Sequence, residues 1–502
     1  MISAFTNTFK IPELRNRVLF TLLLLVIVRV GAAISCPGIN AYVLQEWLKH
    51  EATQQQGGAL TAMFNLFSGG ALENCALFSL GVMPYISASI MLQMLTAVIP
   101  TLNKMSKEDG GRQKIMQYTR YATIALCILQ GSVVVRTQFA AGSQVLHGID
   151  DTIKRLGIPL VSTSMNYTFF IVTSVLFLTA GSMLLMWIGD QITDKGIGNG
   201  ISLIITVGIV GRLPAGLVQA WKTFVPSNGG GSAVSPLVLV MMIAFFVIVI
   251  AAVIAMTQAQ RKIPVQYAKR VVGRKVYGGQ TTHLPLKVNA AGVMPIIFAQ
   301  SLIIVPGALV QWAFKSNAAQ KFATAISPGH WVYYTVYGLM IFFFSYFWNA
   351  MQFQPAQIAD DLKKYGGYIP GVRPGKPTAD FLDFSMTRLT FAGAFFLTVI
   401  AILPQLLVQG MHVPQLAANF FGGTSLLIMV GVILDTMRQV ETFLFQRHYD
   451  GFLRKGRIRG RFDRTPVGRG EAVAQTARLW LYVGIALAVV CLAAIVVAHN
   501  SH

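Results

Sequence analysis

Charge is what this sequence is short of. Only 12% of its 502 residues are charged, 40 basic and 19 acidic, while 54% are hydrophobic. A soluble domain carries about 25% charged residues, so a water-soluble globular protein is excluded. Cysteine is scarce as well. Cys36, Cys75, Cys127 and Cys491 form no C-x-x-C pair and no zinc-ligand spacing, which excludes a disulfide scaffold and a zinc fold. Long polar stretches are missing too, so no loop can hold a separate enzymatic domain with its own core. Nor is there a phosphate cradle: Gly375-Lys376 runs into Pro377, not Ser or Thr, with no glycine at P-loop spacing before it. No H-E-x-x-H helix and no nucleophile elbow occur. The chain reads as a non-enzyme, and no cofactor or metal is implied.

What is present is apolar length. A helix crossing the hydrocarbon of a bilayer needs about 20 mostly apolar residues, because lipid cannot satisfy backbone polar groups. Apolar runs occupy 18–33, 78–99, 121–135, 167–188, 200–210, 236–256, 293–312, 331–348, 389–408, 424–440 and 479–498. The fifth is short and bounded by glycine, but without it the charge pattern inverts from there on. Ala33-Ile34-Ser35-Cys36 resembles a signal-peptide end, yet the later spans require the first run as an uncleaved helix.

Lys and Arg favour the cytoplasmic side of short loops. With a cytoplasmic N-terminus, that side receives Lys10, Arg15, Arg17, the cluster from Lys104 to Arg120, Lys195, the loops after the sixth and eighth spans, and the run from Arg438 to Arg478. The other side keeps Lys49, Arg136, Lys154, Arg155, Arg212, Lys222, Lys315 and Lys321. The net charge of +21 is mostly a topology signal. Cys36 and Cys75 share the outer side, where a disulfide is permitted, but nothing in their spacing demands one.

Three connecting segments stand out. Residues 59–80 are half-apolar and glycine-broken, too short to span and too hydrophobic for a free loop; a re-entrant position and a half-helix on the bilayer surface both fit. Residues 258–289 carry seven basic residues and no acid, and alternate apolar with polar like a two-stranded hairpin with a basic tip. Residues 349–388 include a Gly/Pro-rich stretch that displays Arg373 on a fixed turn. By composition alone, both basic loops also read as ordinary positive-inside connections.

Six strings resemble those of the SecY family of protein-conducting channels: Phe64-Asn65-Leu66-Phe67-Ser68-Gly69-Gly70-Ala71-Leu72, Gly81-Val82-Met83-Pro84-Tyr85-Ile86-Ser87-Ala88-Ser89-Ile90, the run from Gln191 to Ser202, Thr282-His283-Leu284-Pro285-Leu286-Lys287-Val288-Asn289, Ile369-Pro370-Gly371-Val372-Arg373-Pro374-Gly375, and Phe421-Gly422-Gly423-Thr424-Ser425-Leu426-Leu427-Ile428. The resemblance implies an all-α polytopic membrane protein, a ten-helix channel of two inverted five-helix halves. The halves would be 1–213, with a plug at about 59–80, and 214–440, with cytoplasmic loops at 257–289 and 349–388. A basic tail at 441–478 and an eleventh helix at 479–498 would depart from the family pattern.

The resemblance further implies a pore ring of Val82, Ile86, Ile201, Ile205, Ile297 and Ile428, and a re-entrant plug containing Phe64, Asn65, Phe67, Ser68, Gly69 and Gly70. A lateral gate would include Ser87, Ile90, Gln93, Gln300 and Ser301. Spacing independently puts Val82 with Ile86, and Ile201 with Ile205, on one helix face; Val82 is one methylene smaller than the isoleucine the family leads one to expect. With no energy source of its own, the chain would borrow force from the SecA ATPase or a translating ribosome. Lys269, Arg270, Arg274, Lys275 and Arg373 would contact that partner. SecE- and SecG-type small subunits, precursor polypeptides and the lipid bilayer complete the implied partners, and the bacterial inner membrane the location. The competing class is a secondary transporter of small solutes. It ordinarily carries ionisable residues at mid-membrane, whereas only Arg29, Asp435 and, at the very edge of its run, Arg438 lie within the runs, all near ends.

Overall fold

In a computed structural model, described at residues 12–40, 42–43, 46–47, 68–72, 74–108, 110–138, 149–161, 166–211, 236–267, 270–272, 275–277, 281–300, 302–303, 330–411 and 423–454, the apolar runs are helical over most of the residues described. In chain order they are α1 (Pro12–Gly31), α2 (Met83–Val98), α3 (Pro100–Lys107), α4 (Gly111–Gln138), α5 (Ile149–Leu156), α6 (Tyr167–Lys195), α7 (Gly200–Gly211) and α8 (Pro236–Gln258). After strands β1 (Gln260–Tyr267), β2 (Arg270–Val272), β3 (Lys275–Tyr277) and β4 (Thr281–Lys287) come α9 (Trp331–Gln352), α10 (Pro355–Lys364), β5 (Gly367–Tyr368), α11 (Lys376–Met411) and α12 (Gly423–Arg454). A further helical segment occupies 294–300. Several helices outrun their apolar stretches. α11 starts at Lys376, well before residue 389, and α12 runs on to Arg454, because a helix satisfies its own backbone in water as in lipid and polar flanks extend it. The run at 479–498 lies outside the described residues.

Several helices expose apolar surface that a soluble protein would bury. On α6 the buried face contains Ser174, Thr179, Gly181, Ser182 and Gly189, whereas Phe169, Val172, Leu176, Leu184 and Trp187 are exposed. α1 likewise exposes Leu19, Leu22, Leu23, Val26, Ile27 and Val30. Small residues within the helix contacts, beside buried Phe170, Leu178, Leu185 and Ile192, together with large apolar side chains left exposed, suit helices packed in lipid. Among the described residues, Gln113–Arg136, Tyr167–Lys195 and Lys376–Ile402 are long and apolar enough to span outright. The pair α2–α3 qualifies only as a span broken by a 106° bend. That bend has a local cause. Pro100 excludes the residue before it from helical geometry, and Ile99 is extended at φ −91°, ψ 112°.

The chain divides into two compact units, one of Met1–Ser89, Lys114–Ala252 and Leu406–His502, the other of Ile90–Gln113 and Val253–Gln405. In the first, α1 packs along α6. Gly181 admits the Leu77 carbonyl, and Gly31 the Phe78 ring, where a Cβ would otherwise stand. A buried cluster of Val43, Trp47, Cys75, Leu80, Val135, Leu160, Phe170, Val175 and Leu178 closes one end. There the chain after α1 meets the segment before α2 through the antiparallel bridge Ser35↔Ala76. Cys36 N–H donates to the Cys75 carbonyl at 2.8 Å, yet both thiols are free and buried.

In the second unit the basic loop pairs β1 with β4 in register Gln260↔Lys287 to Gln266↔Thr281. The expected two-stranded hairpin is therefore present, but its inner part forms a second hairpin, β2–β3. A third strand also arrives from the other loop, giving the order β4-β1-β5. β5 reaches only Gln266 and Tyr267, so Pro264 lies where β1 has one neighbour and its missing N–H leaves no gap. Ile263, Val265, Leu286, Ile369, Leu382 and Met386 form the core beneath, fastening both loops to the start of α11. The stretch at 349–388 holds more helix than its turn residues imply, since α10 and the first turns of α11 fall within it.

Candidate functional site

Within the first unit, Val82 is 1% exposed, Ile86 5%, Ile205 1% and Ile428 0%; Ile201 is half-buried. Ile86 N–H bonds to the Val82 carbonyl at 3.0 Å, so the two stack on the first turn of α2. Val82 lines a cavity with Val28, Phe78, Leu185 and Ile204, and the same cavity is lined by Ser68 and Gly69. The structure thus brings together one residue expected in the ring and two expected in the plug. Ile297, in the second unit, is also buried; its neighbour Phe298 packs edge-on against Phe344 and Trp348, centroids 5.9 and 5.2 Å away.

Of the plug, Phe64, Asn65 and Phe67 lie outside the described residues. Ser68, Gly69 and Gly70 form a tight turn in which Ser68 Oγ accepts Leu72 N–H at 3.3 Å. Gly69 and Gly70 have φ of +63° and +91°, open to glycine without strain. A Cβ on Gly69 would stand 2.7 Å from Gly208 Cα on α7, so the turn rests backbone on backbone. In the sequence Arg29 stands out only as a charge inside an apolar run. In the structure its Nη1 donates to the Gly69 carbonyl at 3.1 Å and its Nη2 reaches the Gly211 carbonyl at 3.5 Å. The signal available was a lone cation in an apolar run.

Of the gate residues, Ile90 is buried and Ser87 and Gln93 are half-buried on α2. Gln300 is buried, with Oε1 lacking a hydrogen-bond partner among the described residues; Ser301 lies outside them. Of the docking residues, Lys269 and Arg274 lie outside, while Arg270 and Lys275 open β2 and β3, opposite Tyr277 and Val272. Arg373 is exposed, between Gly371 and Gly375 at φ +86° and +101°. Its carbonyl accepts the Thr378 hydroxyl at 2.8 Å. Tyr368 OH donates to Gln266 Oε1 at 2.9 Å, joining the loop that displays Arg373 to the basic hairpin.

The string from Gln191 to Ser202 forms the α6–α7 connection. Ile197 N–H donates to Thr21 Oγ1 at 3.2 Å, Gly198 N–H to Gln439 Oε1 at 3.0 Å, and Gly200 N–H to Thr193 Oγ1 at 2.9 Å. Asn199 Oδ1 accepts Ser202 N–H at 3.2 Å, an N-cap for α7. Leu14, Ile197 and Val440 pack together, and the Arg17 guanidinium lies over the Phe443 ring at 5.2 Å. One turn is thereby tied to both α1 and α12.

Outward-facing apolar helices, a buried aliphatic set and a glycine turn folded onto it define a multi-pass membrane protein of the channel type. The model of the SecY family matches residues 76–437, and the chain belongs to that family. It is 44% identical over 466 residues to the protein translocase subunit SecY of Mycobacterium bovis, covering 90% of this chain and all of that protein. It is 41% identical over 463 residues to the Thermotoga maritima subunit of the same name, covering 92% of this chain and all of that one. Among solved structures, one described as a protein-conducting channel superposes with a TM-score of 0.56 at 15% identity, over 88% of this chain and 94% of the other. A SecY structure described in terms of a plug domain that stabilises the closed state gives 0.54 at 16%, with the same coverage. The canine Sec61 channel of a ribosome complex gives 0.51 at 14%, again over 88% and 94%.

Proposed function

We propose that this chain is the polypeptide-conducting subunit of a Sec-type translocase in the bacterial inner membrane, with its N-terminus in the cytoplasm. It passes unfolded chains across the bilayer and releases hydrophobic segments sideways into lipid. The observation that carries this reading is the cavity shared by Val82 and the Ser68–Gly69 turn: an aliphatic constriction with a glycine-jointed stopper seated on it. Branched apolar side chains offer no specific hydrogen bond, so any sequence slides past, and a narrow apolar waist disfavours a continuous column of water or ions. Val82, Ile86, Ile201, Ile205, Ile297 and Ile428 form that ring in this reading. Ten helices fall into halves at 1–213 and 214–440, and a basic tail at 441–478 precedes an eleventh helix at 479–498.

A seam including Ser87, Ile90, Gln93, Gln300 and Ser301 opens to lipid. A segment leaves through it when its apolar residues, each contributing a few tenths of a kcal/mol, outweigh charges costing about 3 kcal/mol apiece. Force comes from SecA or a ribosome docked on Lys269, Arg270, Arg274, Lys275 and Arg373. The fused sheet β4-β1-β5 supports this, since it ties the two basic loops to one helix, α11. SecE- and SecG-type subunits complete the complex. The chain itself performs no chemistry. Arg29, the charge a transporter reading would recruit for substrate, is engaged with backbone carbonyls.

Two experiments test the proposal. A stalled nascent chain should crosslink to a photoreactive probe at Ile86 and at Ile297; a small-solute transporter yields no such adduct. Arg373→Glu should abolish ATPase-driven export while the complex assembles in normal amount, and normal export would remove Arg373 from the coupling role.

A further inference from the structure

We infer that Arg29 is a latch: a positioning residue that pins the plug turn to the channel wall through its main chain and so sets how rarely the idle channel opens. The inference rests on reading residues 68–72 as the tip of the plug. Arg29 is the sole charge in the apolar run 18–33, and charges in such runs persist where they have partners and a task. Its two partners differ in kind. Gly211 ends α7, and its carbonyl is one of those a helix cannot satisfy internally, at the end where the helix carries partial negative charge. That contact, at 3.5 Å, belongs to the wall and stays whether the plug is seated or not.

Gly69 is the movable partner. Its carbonyl takes the other arm of the guanidinium at 3.1 Å, while its Cα side rests on Gly208. The turn is therefore held from two directions, by glycine-on-glycine contact with α7 and by a charged hydrogen bond from α1. When the plug leaves, the contact with Gly208 is replaced by other packing. The guanidinium, exposed on α1, then loses its charged hydrogen bond to the Gly69 carbonyl, a part-buried contact in the seated turn. Because the acceptor is a carbonyl, the latch works whatever side chains the plug carries. The forked shape matters as well: arginine engages two acceptors at fixed separation, whereas an ammonium is a single point.

The test uses the full chain with its SecE- and SecG-type subunits in planar bilayers, reading idle ion-conducting openings per channel together with transport of a precursor whose signal segment is defective. Arg29→Met should raise idle opening roughly ten- to hundredfold, the loss expected of one hydrogen bond to a charged group, and should admit the defective precursor. Arg29→Lys should fall between Met and the natural residue. Gly69→Ala, which drives a Cβ into Gly208, should open the channel by the other route. The double variant should open no more than the larger single one, because both changes break one seat.

Idle opening at the natural level in Arg29→Met, with Gly69→Ala leaking, overturns the latch and leaves the plug standing. Silence in both variants overturns the plug reading and the latch with it. Strictly multiplicative effects in the double variant place Arg29's action elsewhere and also refute the inference. If Arg29→Met fails to assemble, Arg29→Lys decides, since it keeps the charge at the end of α7 but loses the fork; natural idle opening in that variant counts against the latch.

Discussion

Leu382, on the first turns of α11, is fully buried among Ile263 and Val265 of β1, Leu286 of β4 and Ile369 just past β5. Leu382→Ala removes three carbons from a core whose walls come from three separate stretches of chain. Buried Leu→Ala changes cost between about 2.7 and 5 kcal/mol, more where the site cannot collapse. Here collapse would require β1, β4 and the turn after β5 to move together against the β1–β4 register, so about 3–4 kcal/mol is expected. The loss falls on local opening of the sheet, since the buried side chains around Leu382 come from β1, β4, the turn after β5 and α11 itself. At about 1.36 kcal/mol per tenfold, amides of β1 and β4 should exchange roughly 150- to 900-fold faster, up to the free-chain limit. Hydrogen exchange on the complex in nanodiscs measures this directly, with Leu382→Met, nearly equal in volume, as control. Motor-driven transport should fall in parallel while the idle channel stays ion-tight. Unchanged exchange in β1 and β4, or equal acceleration in α1 and α6, would refute the claim that this core separately fastens the docking loops to α11.

Thr21→Val should remove the acceptor of the buried Ile197 N–H and loosen the α6–α7 turn. The cost is about 1–2 kcal/mol, a fall of about 1–2 °C in the thermal midpoint of a chain this long that Thr21→Ser should largely restore. Cys36 and Cys75 should resist maleimide in the idle channel. Burial raises both thiols above their ordinary value, the Ser174 hydroxyl offsetting part of the rise at Cys36 and the neighbouring Cys36 adding to it at Cys75. Their contribution to stability is intact below the ordinary thiol value and is lost as pH climbs past it, so labelling should stay slow from pH 7 to about 8.5 and quicken above. Labelling at the rate of a free thiol at pH 7 would contradict the packing at Ser35↔Ala76.

Much of this protein was legible in one dimension because lipid imposes a one-dimensional rule: a span must be apolar, helical and about 20 residues long. Run length and Lys/Arg distribution therefore locate the helices, and even the short run at 200–210 emerges as α7. Turn chemistry is local in the same way, and the glycines on either side of Arg373 announce their positive φ. Tertiary structure alone decided which distant groups meet. No pattern near residue 29 points to the carbonyls of Gly69 and Gly211, since a carbonyl acceptor has no letter of its own. Nor does anything in Gly367-Tyr368 announce a third strand on β1, because two residues are too few to alternate. The ties of Ile197 to Thr21 and of Gly198 to Gln439 join positions far apart in the chain, where proximity follows from helix packing rather than from sequence spacing.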